Sequence, residues 1–247
     1  MNIKNFLTVA IIAFLFSACK KEQPSQQSQI VGTKYSGWDQ WIYKKPGTAS
    51  KAEQVTLVYG MEEVTGLEVV THEETDKKGN KKVTEYLKLK TVDNKEGFAP
   101  VKNFFDAILF VVGEGGQAFA KNSLTSPSKG KLQRGMYCLE IEESGEFAKV
   151  KCYESIVKGG KLADLHDVWI QPASPSLSRD PLLGDTLRNL RSASTKLLEA
   201  AKMQDTTKQE QLKSEAAKAL KSVVEKGDQF LDDANSIATE YGLTLAE

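Results

Sequence analysis

Histidine and cysteine are scarce in this chain: 247 residues hold two histidines, His72 and His166, and three cysteines, Cys19, Cys138 and Cys152. A zinc or iron centre needs several such ligands at short, fixed spacings, and no second His or Cys stands near Asp164-Leu165-His166-Asp167. A papain-like Cys–His pair has no domain to sit in. There is no phosphate loop either. Gly113-Glu114-Gly115-Gly116 runs into Gln117-Ala118-Phe119 without the Lys-Ser ending such a loop requires, and reads as a turn. An excess of one charge is also missing, since 33 basic and 33 acidic residues give a net charge of +0. That excludes the electrostatic footprint of a nucleic-acid binder. The cluster Lys77, Lys78, Lys81 and Lys82 is ringed by Glu73, Glu74, Asp76 and Glu85, as at a solvated hairpin tip. These absences predict a protein that is not an enzyme, with no cofactor and no metal.

A run of roughly 20 apolar residues, enough to span a bilayer, is absent too. The start of the chain is instead a short export segment. A charged Met1-Asn2-Ile3-Lys4 precedes the apolar stretch Phe6 to Phe16, and Phe16-Ser17-Ala18-Cys19 follows at once. This resembles the bacterial lipobox, with Phe16 standing where Leu is usual. The resemblance implies a signal peptide over residues 1–18, cleavage before Cys19 and lipidation of Cys19 with acyl chains such as palmitate. Each buried methylene contributes roughly 0.8 kcal/mol, so two or three chains hold a soluble domain at a membrane. Residues 19–34 are polar and glutamine-rich, and predict a flexible tether.

Two stretches then echo one another. Gly60-Met61, Glu85–Thr91 and Gly97-Phe98-Ala99-Pro100 find counterparts in Gly135-Met136, Glu146–Cys152 and Trp169-Ile170-Gln171-Pro172. Tyr86–Thr91 and Phe147–Cys152 alternate apolar and polar residues, the mark of half-buried strands. The turn cluster Asp76-Lys77-Lys78-Gly79-Asn80 predicts a long hairpin of 64–74 with 82–91, and Ser144-Gly145 a two-residue turn in the second copy. That second turn sets Leu139 opposite Val150 and Ile141 opposite Ala148. Cys152 then faces the core and Cys138 faces away, which favours free thiols unless a one-residue bulge restores the pairing.

Tyr43-Lys44-Lys45-Pro46-Gly47-Thr48-Ala49-Ser50, the strand through Val55 and Leu57, the Gly60 turn, Glu85–Thr91 and Lys95-Glu96-Gly97-Phe98-Ala99 resemble the bacterial Src homology 3 domain. The likeness covers residues 35–105 and, in diverged form, 112–173. It implies all-β tandem small barrels.

Beyond Pro172 the period changes. Leu183, Leu187, Leu190, Leu197 and Ala201, then Leu212, Ala216, Leu220 and Val223, then Phe230, Ala234, Ile237 and Tyr241 recur at helical spacing. A helical hairpin or three-helix region over 180–243 follows. Asp205-Thr206 reads as a cap, and Gly227-Asp228 as a stop followed by a new start.

Together these features predict an envelope lipoprotein, exported and lipid-anchored, the outer membrane favoured. It would act as a non-enzymatic binding or scaffold module for peptidoglycan or an envelope protein. The alternatives are a self-assembling structural protein or an accessory subunit of an envelope enzyme. Tyr35, Trp38, Trp41 and Tyr43 crowd the entry to the first barrel, and Tyr35 and Trp38, nearest the tether, are the candidate ligand-binding residues.

Overall fold

The computed structural model describes residues 31–75, 79–114, 116–155 and 164–245. The export segment, Cys19 and most of the expected tether lie outside the described residues, as do 76–78 of the turn cluster expected in the first hairpin.

Two seven-stranded antiparallel sheets, each curled into a half-barrel, are followed by three helices. The first sheet consists of β1 (Gly32–Ser36), β2 (Gln40–Tyr43), β3 (Gln54–Val58), β4 (Glu63–Thr75), β5 (Lys81–Lys90), β6 (Glu96–Pro100) and β7 (Phe104–Phe105). The second consists of β8 (Ile108–Val111), β9 (Gln117–Phe119), β10 (Ser128–Lys131), β11 (Met136–Ser144), β12 (Phe147–Glu154), β13 (Leu165–Ile170) and β14 (Leu177–Ser178). Their strand orders, β3-β2-β6-β5-β4-β1-β7 and β10-β9-β13-β12-β11-β8-β14, are the same pattern displaced by seven strands.

The duplication reaches residue level. Lys88 pairs with Phe98 and Leu87 with Ala99, as Lys149 pairs with Trp169 and Ala148 with Ile170. Tyr43 pairs with Phe98 as Phe119 does with Trp169. The repeat therefore fixes which positions of the two copies correspond.

Strand limits differ from the sequence expectation at both ends. Val31 packs on the first core and donates its N–H to the Gly66 carbonyl at 3.0 Å, so pairing starts inside the stretch read as tether. The second sheet takes in Ile108–Val111 and returns through Leu177–Ser178. Every residue of β8 is buried because the strand is covered on both faces: Leu109 and Val111 join the inner core, Ile108 and Phe110 the helical core. A strand covered twice shows no alternation.

The second hairpin turns at Gly145-Glu146, with Ser144 opposite Phe147, rather than at Ser144-Gly145. Gly145 adopts φ +60, the left-handed geometry that tight hairpin turns ask of their first central residue. The displaced turn alone would keep each side chain on its face. A bulge at Ile141, where pairing jumps from Glu140 to Glu142, exchanges the faces and sets Cys138 opposite Cys152. The two are joined in a fully buried disulfide with an S–S distance of 2.06 Å, contrary to the free thiols that an unbulged register favours.

The helices are α1 (Leu183–Ala200), α2 (Thr206–Lys226) and α3 (Leu231–Glu240). The Asp205 carboxylate caps α2, accepting from Thr207 N at 3.0 Å and Lys208 N at 3.2 Å. Gly227 ends it at φ +61, and the Asp228 carboxylate then accepts from Phe230 N at 2.9 Å. Leu183, Leu187, Leu190, Leu197, Leu220, Val223 and Phe230 form one core with Ile108, Phe110, Tyr137 and Leu139. The helical stripe thus closes over the outer face of the second sheet. Ala200, not Ala201, completes the α1 stripe.

Candidate functional site

Ile42 and Val58 point into the first core, so their neighbours Trp41 and Leu57, which pair across β2 and β3, face outward. The turn Tyr59–Glu62 continues this face towards α1. Tyr59 N donates to Glu62 Oε2 at 2.8 Å, and Gly60 N to Asp39 Oδ1 at 2.8 Å. Met61 holds a left-handed backbone, φ +66, unusual for a side chain of its size, while buried in the helical core. Gly184 lets α1 approach, because a Cβ there would sit 3.0 Å from the Met61 carbonyl oxygen. Arg188 locks the contact, donating from Nη1 to the Gly60 carbonyl at 3.0 Å and from Nη2 to the Asp185 carboxylate.

A groove remains between the first sheet and the start of α1. One part, about 790 Å³, is walled by Trp41, Leu57, Tyr59, Val92 and Leu182 among others, with Glu62, Glu63 and Asp93 at its side. The other, about 900 Å³, is bordered by Trp38, Asp39, Arg191, Lys196 and Glu199. Tyr59, Met61, Asp185 and Arg188 belong to both. Large apolar side chains are left open here: Trp38 is 38%, Trp41 43%, Tyr59 48%, Val92 71% and Leu182 73% exposed.

The repeat shows that folding does not demand this face. With Tyr43 equivalent to Phe119, Trp41 corresponds to Gln117, and its partner Leu57 to Lys131, the residue opposite Gln117. The second copy builds the same strand pair from a polar pair. At that position the first copy instead keeps an exposed tryptophan beside a half-buried leucine.

Electrostatics divide the groove. No lysine or arginine lies within ion-pair distance of Glu62, Glu63 or Asp93 among the described residues, whereas Asp185 is paired with Arg188 and, at 3.4 Å, with Lys226. Burial raises the Glu62 carboxyl above its usual value, and Asp93 and Asp185 add to this. The Tyr59 N–H and Arg188 oppose it. Behind the second part, burial pushes the Tyr137 phenol up to about 12 against the pull of Arg191.

Of the two residues singled out in the sequence, Trp38 lies on the groove's rim, edge-on to Phe105 at 6.0 Å and to Tyr153 at 5.9 Å. Tyr35 does not line the groove. It is the repeat equivalent of Phe110, and like Phe110 it packs on the helical core. Its hydroxyl donates to Glu63 Oε2 at 3.4 Å. Sequence reasoning does not reach Tyr59, Val92, Leu182 or Arg188, and it names Trp41 only among the aromatics that crowd the entry to the first barrel. The signal available was that Trp41-Ile42 and Leu57-Val58 are apolar on both faces of a strand.

His72 makes a 3.5 Å contact with Glu74 and stands edge-on to Tyr86, and His166 lies 3.8 Å from Asp164. No three His, Cys, Asp or Glu side chains form a metal-sized group among the described residues. No helix among them is long and apolar enough to cross a membrane.

The described residues thus hold a duplicated β-sheet unit followed by a three-helix tail. The lipoprotein LenA family matches residues 6–233, and the chain belongs to that family. It is thereby a bacterial lipoprotein, a membrane-anchored protein of the envelope. Among curated proteins, none matches the chain.

Proposed function

We propose that the chain is a non-enzymatic binding module, tethered through a lipid on Cys19 and presenting the groove between the first sheet and α1 to a peptidoglycan or protein ligand of the envelope. The outer membrane is the favoured location. In this reading the two sheets are diverged Src homology 3-like units, a view supported by their duplicated small-sheet topology. The observation that carries the binding role is the Trp41–Leu57 pair, set against Gln117–Lys131 at the equivalent place.

Lipid attachment has a direct check. A clickable fatty acid is expected to label the wild type and not Cys19→Ala, which should leave the membrane fraction; label retained by the variant would remove Cys19 from this role. Binding is tested by affinity capture from envelope extract with the mature chain. The Trp41→Ala/Tyr59→Ala pair is expected to lose the captured partner at least about tenfold, as truncated interface aromatics do, with little change in melting temperature because both rings are exposed. Equal capture by both proteins would move the site elsewhere.

A further inference from the structure

The part of the groove walled by Trp41 and Tyr59 combines three properties. Aromatic rings stand open to solvent, carboxylates gather with no ion-pair partner among the described residues, and the bordering Arg188 guanidinium is already committed. Arg188 is held by the Gly60 carbonyl and by Asp185, so its charge is spent locally. Glu62, Glu63 and Asp93 face the same space with no cation of their own among the described residues. Around them Leu57, Val92 and Leu182 offer aliphatic surface.

We infer that this groove takes a basic polypeptide segment of a partner protein, with lysine or arginine head groups lying between the Trp41 and Tyr59 rings and the carboxylates of Glu62, Glu63 and Asp93. The inference rests on the binding-module reading above and names its ligand. Each part of a long basic side chain finds its complement. The ring faces attract the cation through their quadrupole, the carboxylates neutralise it, and the aliphatic stems cover Leu57 and Val92. An arriving cation also relieves the cost of holding the desolvated Glu62 carboxyl beside Asp93 and Asp185. A muropeptide could stack its sugars on the same rings, but its stem peptide carries carboxylates that this wall repels. Charge complementarity therefore favours a basic protein segment over a wall fragment.

The test uses the mature chain, residues 20–247, which omits only the lipid-bearing cysteine. Three fluorescein-labelled probes are titrated by polarisation: a short lysine- and arginine-rich peptide, its glutamate counterpart, and a disaccharide–tetrapeptide muropeptide. The basic peptide is expected to bind, and its affinity to fall about tenfold in Trp41→Ala and at least as much in Glu63→Gln/Asp93→Asn, with Trp41→Phe recovering most of the loss. Raising the salt from 0.05 M to about 0.5 M should weaken it further, since the contact is charged and open to solvent. Binding of the muropeptide through Trp41 in place of the basic peptide would overturn this inference while leaving the binding-module reading standing. Equal affinity of the variants for the basic peptide, or no binding of any probe, would overturn it as well.

Discussion

Phe230→Ala is expected to cost about 3–5 kcal/mol in urea-induced unfolding, the range for a fully buried aromatic. Phe230 stands immediately before α3, fully buried in the core that joins the helical tail to the second sheet. Arg134 lies over its ring at 4.9 Å. The same guanidinium donates from Nε to Asp233 Oδ2 at 3.0 Å, and to the carbonyls of Val112 and Gln229. Removing the ring leaves a cavity beneath a cation that ties three segments together. The loosened tail would uncover Ile108, Phe110, Tyr137 and Leu139, so binding of a hydrophobic dye should rise with the loss of stability. A change below about 1 kcal/mol would mean that the helices do not depend on this docking point.

Reduction of the Cys138–Cys152 disulfide should have the second large effect. The bond closes a 14-residue separation, for which the constraint on the unfolded chain is worth roughly 3 kcal/mol. In a domain assembly of this size that lowers the melting temperature by roughly 6–12 °C. Both sulfurs lie in the inner core of the second sheet, so reductant should act on the unfolding transition rather than on the native protein at low temperature. Thiol counting by mass shift before and after reduction supplies the control. A melting curve indifferent to reductant, with two reactive thiols in the unreduced chain, would contradict the bond.

How far these features can be read in the sequence depends on what each element faces. Tyr86–Thr91 and Phe147–Cys152 alternate because one side meets a core and the other does not, and the structure places both in strands paired to equivalent neighbours. The helical stripe was equally plain. Ile108–Val111 gave no phase, since helices cover one face and the core the other. The disulfide turned on a bulge at Ile141, a local departure that alternation alone does not locate.

The groove was half legible. Trp38 stood out by its position near the expected tether and does reach the rim. Tyr35 stood out for the same reason and lies elsewhere, because its repeat position is the one that packs on the helices. Arg188 and Leu182 could not have been assigned to it without knowing that the tail folds back past Met61. Only after the repeat is aligned through Tyr43 and Phe119 does Trp41 become visible as a tryptophan where the second copy keeps Gln117.

The central claim is that ligand is met on the outer face of the first sheet beside α1. Site-specific photo-cross-linking in intact cells tests it most directly, with a benzoylphenylalanine residue replacing Trp41 in one strain and Lys129, on the edge strand β10 of the second sheet, in another. The account predicts a discrete adduct through position 41 and none through position 129. An adduct through position 129, or none through position 41, would contradict it.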